Sequence, residues 1–135
     1  MNRTTFIKTM VFAAKSANET MKYKLVSPFI AIAIYKTNFG DRITYKECKN
    51  CFDVEGSGKK FESAFWGGVG KEYRTYETEA ESFTEFMERF KGRTYELKRE
   101  KDYKAFCNKI SKYTFINPDD IINIIESYNL TQYDK

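Results

Sequence analysis

Residues 27–34 read Ser-Pro-Phe-Ile-Ala-Ile-Ala-Ile, and this run constrains the chain more than any other stretch. Serine followed by proline is a helix-start signal, because serine caps orphan amides and proline has no N–H to leave unpaired in the first turn. The spacing predicts a helix from Phe29 to about Tyr35, with Ser27 as its N-cap. Phe29 to Ile34 leaves no polar face, and such a helix is stable only when other elements cover every side. The chain must therefore fold around it. The helix ends near Asn38-Phe39-Gly40, where glycine can supply a left-handed cap.

Four amphipathic segments are available to cover it. From Thr4 to Tyr23 the residues Phe6, Ile7, Met10, Val11, Ala14 and Ala17 recur at three- and four-residue steps. Thr78 opens a capping box, and Phe83, Phe86, Met87 and Phe90 mark one face of a helix stopped by Gly92. Tyr103, Phe106, Cys107 and Ile110 mark another. Asn117-Pro118 repeats the cap-plus-proline signal before Ile121, Ile122, Ile124, Ile125 and Tyr128, and a polar tail follows from Thr131. Between about 41 and 76 the helical period is lost and glycines gather with scattered aromatics, which predicts a small irregular lobe with one short hairpin. The expected fold is mainly α, an α+β body of about five helices with that lobe, in one domain over residues 1–135.

Composition narrows the chemistry. At 135 residues, with 12 Phe and 10 Tyr, the chain can bury a core without disulfide staples. The absence of histidine removes Ser-His-Asp and Cys-His catalysis and every His-containing zinc site. Cys48, Cys51 and Cys107 fall short of the four ligands of a structural zinc site, so they are read as free thiols, with no metal and no cofactor expected. The net charge of +4 arises from 23 basic and 19 acidic residues interleaved along the chain, which argues against nucleic acid as a partner. No segment reaches the roughly 18 apolar residues of a membrane span, and Thr9–Ala14 is too short for a signal peptide, so synthesis in the cytoplasm without a signal is expected.

The order of the segments resembles the glucosaminidase domain of bacterial and phage peptidoglycan hydrolases. In that family an apolar helix after Ser-Pro ends in a Glu-Ser-Gly-Trp-Gly-like turn, and here residues 27–42 read SPFIAIAIYKTNFGDR. An Asn-Asn-Leu-Phe-Gly-Ile-Lys-Gly-like segment is matched by Lys49-Asn50-Cys51-Phe52-Asp53-Val54-Glu55-Gly56. A lobe containing Trp66 follows, and then Tyr73-Arg74-Thr75-Tyr76-Glu77-Thr78 with Ser82. The Gly-Tyr-Ala-Thr-Asp-Pro-like segment is matched by residues 112–118, and an Asn-Leu-x-x-Tyr-Asp ending by Asn129 to Asp134.

This resemblance implies a lysozyme-like helical body, a groove for a glycan strand, and a general-acid Glu at the end of the second helix. Lys36 stands at that position. A glycosidase needs a carboxylic acid there to protonate the leaving oxygen, which an ammonium group does not replace. Asp53 and Lys112 stand where the family has glycines. Under a shifted register Asp41 or Glu47 would be the acid, and Glu72 or Glu77 the second carboxylate. Asn50, Phe52, Trp66 and Tyr113 are the candidate substrate-binding residues, the aromatics by stacking on sugar rings.

The leading expectation is a glucosaminidase-fold protein without catalysis, kept as a glycan-binding or virion and tail component whose partners are a peptidoglycan strand or other virion proteins. The Lys-, Asn-, Ile- and Tyr-rich composition points to a phage of an AT-rich host, and so to a virion or released, wall-bound location. The alternative is an active endo-β-N-acetylglucosaminidase using a displaced carboxylate. An unrelated helical interaction module is the third reading.

Overall fold

The computed structural model describes residues 1–61, 70–90 and 96–135, together with the backbone of Tyr95. Trp66 and the Gly92 helix stop lie outside these residues. In chain order the elements are α1 (Arg3–Met21), α2 (Ser27–Thr37), α3 (Ile43–Cys48), β1 (Gly58–Phe61), β2 (Lys71–Arg74), α4 (Glu79–Glu88), α5 (Tyr95–Arg99), α6 (Tyr103–Thr114) and α7 (Pro118–Ser127), followed by a 3-10 turn over Leu130–Asp134.

The apolar run occupies the centre. Every residue of α2 from Ser27 to Ile34 is buried, and α1, α6, α7 and the terminal 3-10 turn all pack on it. Phe29 is the hub of an aromatic cluster, with ring centroids 4.9 Å from Tyr23, 5.4 Å from Phe106 and 6.2 Å from Phe86. The stripe of α1 faces inward through Phe6, Met10, Ala13, Ala14 and Ala17, and α1 also runs against α4. The core is thus mainly helical, as the periodicity requires.

The small lobe holds the expected hairpin, with β1 antiparallel to β2 in the register Gly58 to Arg74, Lys59 to Tyr73, Lys60 to Glu72 and Phe61 to Lys71. It is less irregular than the sequence suggested, because residues 43–48 form the short helix α3, with Thr44, Tyr45 and Cys48 buried. Six residues are too few to display a helical period, which is why the pattern missed it. The short α5 was missed for the same reason. The tail from Thr131 is also ordered, as part of the 3-10 turn.

The start of α2 corrects the expectation for Ser27. Val26 occupies the cap position without a side-chain bond, and Ser27 is the first helical residue. The cap is supplied from the far end of the chain: Asp134 Oδ1 accepts the N–H groups of Val26 and Ser27 at 2.7 and 2.8 Å, and Ser27 Oγ donates to Asp134 Oδ2 at 2.6 Å. A carboxylate on the positive end of a helix satisfies both the orphan amides and the dipole.

At the other end Asn38, Phe39 and Gly40 all take positive φ, and Gly40 at φ 84° lies against Phe6, where an added Cβ would fall 2.7 Å from the ring. Phe115 closes α6 in the left-handed region at φ 60° and is 91% exposed. An L-residue other than Gly or Asn is strained there, and burial returns nothing to offset the strain. Phe115→Gly is therefore expected to stabilise the protein by about 0.5–1 kcal/mol, after allowing for glycine's greater freedom when unfolded. An upward shift of the urea midpoint at constant m-value would register it.

Candidate functional site

The buried helix places one charged side chain at its exit. Thr37 Oγ1 donates to Ala33 O at 2.7 Å and accepts the Gly40 N–H at 3.1 Å, which fixes the last turn of α2. Lys36, on that turn, is half-buried and opens into a groove of about 550 Å3, within the roughly 300–1,000 Å3 typical of small-ligand sites. A helix C-terminus carries partial negative charge, so a cation is favourable there.

The loop between α3 and β1 forms one wall. Asn50 is fully buried and holds it: its Nδ2 donates to Val54 O at 2.9 Å and Arg74 O at 3.0 Å, and its Oδ1 accepts the Val54 N–H at 2.9 Å. The Cys51 N–H donates to Ser82 Oγ at 3.0 Å, tying the loop to α4. Asp53 takes φ 57°, the left-handed conformation that a glycine at this place would favour and that Asp tolerates. Its carboxylate pairs with Arg42 at 3.2 Å and accepts from Thr44 Oγ1 at 3.1 Å, while Glu55 pairs with Lys71 at 3.3 Å.

The ends of α4 and α6 form the opposite wall, contributing Phe86, Arg89, Phe90, Tyr113 and Thr114. Phe52 lies flat on Phe86, with centroids 4.0 Å apart and planes at 2°, and is itself buried. Tyr113 is 42% exposed and rests at 6.1 Å on Phe90. Its free face is the surface on which a sugar ring can lie. Two cations, two carboxylates and an aromatic floor thus share the groove.

No protein-family model matches the sequence, and no curated protein matches it. Solved structures do match. The fold is similar to the catalytic domain of the autolysin Auto from Listeria monocytogenes, with a TM-score of 0.80 and 22% identity over 97% of this chain and 86% of that one. The chain has the fold of that catalytic domain. It is also similar to the glycoside hydrolase domain of FlgJ from Salmonella typhimurium, at TM-score 0.77 and 13% identity over 96% of this chain and 89% of that one. A peptidoglycan hydrolase from Sphingomonas sp. A1 matches at TM-score 0.73 and 17% identity, over 96% and 91% of the two chains. The lysozyme-like, mainly helical body implied by the sequence resemblance is the one observed.

Within this fold Lys36, Phe52 and Tyr113 line one groove, whereas Asn50 is buried and bonded to backbone. The fallback carboxylates line other surfaces. Glu47 pairs with Lys59, Glu72 accepts the Gly58 N–H at 2.8 Å, and Glu77 is exposed ahead of α4, where its carbonyl accepts from Lys49 Nζ at 2.9 Å. Asp41 is exposed on a separate surface hollow beside Tyr45.

Glu55, Arg89 and Thr114 went unnoticed in the sequence, and Phe86 and Phe90 were read as core alone. Both phenylalanines are buried and also floor the groove. The glycine position at Asp53 was the available signal for the loop, since it marks a turn of backbone toward the groove. For the cysteines, burial pushes the Cys107 thiol up to about 12 and raises the Cys51 thiol as well, which keeps both protonated at neutral pH.

Proposed function

We propose that the chain holds a peptidoglycan glycan strand in this groove without hydrolysing it. The observation that carries the reading is Lys36: at the exit of the buried helix, where the sequence resemblance puts a general acid, the groove presents an ammonium group. Glycoside hydrolysis needs a carboxylic acid on the leaving oxygen and stabilises a developing oxocarbenium ion, beside which a cation is unfavourable. Of the two groove carboxylates, Asp53 is held by Arg42 and Thr44, and Glu55 by Lys71 on the open surface. The exposed face of Tyr113 supports sugar stacking. The Lys- and Asn-rich composition supports a phage particle or wall-directed phage product as the setting in which it acts.

Retention on insoluble peptidoglycan, with no dye released from labelled cell walls, is the expected result. Dye release that survives Lys36→Ala and is abolished by Asp53→Asn or Glu55→Gln would replace this reading with an active endo-β-N-acetylglucosaminidase. Absence of retention would end the glycan reading altogether.

A further inference from the structure

The groove's charges are unequally satisfied, and that asymmetry bears on which glycan it takes. Asp53 and Glu55 each have a cation of the protein's own, Arg42 and Lys71, neither of which lines the groove. Lys36 and Arg89 both line it, and neither has a carboxylate partner among the described residues. Counting each ion pair as neutral, the groove carries two uncompensated positive charges. Lys36 sits on the C-terminal turn of α2 and Arg89 caps α4, so two separate helices deliver them to one cavity.

Resting on the glycan reading above, we infer that the groove selects an anionic glycan, one whose sugars carry free carboxylates, with Lys36 and Arg89 meeting the carboxylate while Tyr113 takes the ring face. Peptidoglycan offers this chemistry where the stem peptide has been removed from the lactyl group of N-acetylmuramic acid. Arg89 has the planar fork that matches a carboxylate, and Lys36 supplies a point charge beside it. The half-buried setting of Lys36 reduces the screening that makes fully exposed pairs weak. A neutral chitin-type strand would leave both cations unpaired and would gain from Tyr113 alone.

The test compares binding of the whole protein to three purified probes by calorimetry: peptide-free glycan strands, peptide-bearing strands and chitohexaose. Peptide-free strands are expected to bind about tenfold tighter than chitohexaose at low salt, with the difference shrinking at 0.5 M NaCl. Lys36→Gln and Arg89→Gln are each expected to bring the affinity for peptide-free strands to within about twofold of the chitohexaose affinity measured on the same variant. Equal affinity for peptide-free strands and chitohexaose would overturn the inference and leave the glycan reading standing. Tighter binding of peptide-bearing strands would also overturn it, by placing the recognised anion on the peptide. If none of the three probes binds, the glycan reading itself fails.

Discussion

Replacing Phe29 by alanine is expected to cost about 3–5 kcal/mol of stability, a large share of the roughly 5–15 kcal/mol a domain of this kind has available. The ring is completely buried and touches aromatic neighbours on several sides: Tyr23 before α2, Phe86 in α4, Phe90 just after α4, and Phe106 from α6. Most of these pairs meet edge to face, an arrangement worth about 0.5–1.5 kcal/mol per pair beyond the area buried. No single neighbour can collapse into the space, because each is held by another ring, as Phe86 is by Phe52 and Phe90. A fall in the thermal midpoint of roughly 10 °C or more would be the calorimetric sign. A loss below 1 kcal/mol would mean that the cluster repacks around the void. The groove would suffer too, since Phe86 and Phe90 are part of its lining.

Asp134→Ala is the second large effect, at about 2–3 kcal/mol. The change leaves the amides of Val26 and Ser27 and the Ser27 hydroxyl without their acceptor, and removes a negative charge from the buried start of the central helix. Asp134→Asn separates the contributions. The amide oxygen can still accept both N–H groups and the serine hydroxyl can turn to accept from the side-chain nitrogen, so only about 1 kcal/mol should be lost with the charge. Hydrogen exchange adds a local readout: the amides of residues 26 and 27 should exchange faster in the alanine variant than in the asparagine variant. Equal stability of both variants and the parent would mean that water caps the helix as well as the carboxylate does.

The same pair of residues marks where sequence reasoning succeeded and where it stopped. The location of α2, its burial as far as Ile34 and its end just ahead of Gly40 followed from residue type and spacing, although the left-handed cap is Asn38 rather than the glycine. Its cap did not, since a Ser-Pro start points to the serine, and the actual acceptor lies 107 residues away in sequence. Nothing in local chemistry distinguishes Asp134 from the other polar residues of the terminal segment. The segment could be flagged only through its likeness to the Asn-Leu-x-x-Tyr-Asp ending.

The site divides in a similar way. Lys36 and Tyr113 were legible because helix ends and a segment order placed them. Arg89 and Glu55 were not, because a charged residue on the surface looks the same in sequence whether it faces open water or a cavity. Asn50 shows the converse. A polar residue in a motif-like segment reads as a ligand contact, yet here its side chain is spent entirely on three backbone bonds that shape the loop. Its contribution to the groove is the position of Asp53 and Glu55, delivered through the main chain.

The bond between Asp134 and the start of α2 also sets an order of events during synthesis. The central helix emerges from the ribosome early, apolar on every face, while its cap and two of its covering elements, α6 and α7, are still untranslated. Until α6 and α7 follow, the run from Phe29 to Ile34 has only α1 and the rings of Phe86 and Phe90 at the end of α4 to lie against. A chain stalled or cut before Asp134 would leave the amides of Val26 and Ser27 without their acceptor, so the start of the central helix is completed only when the segment after α7 arrives.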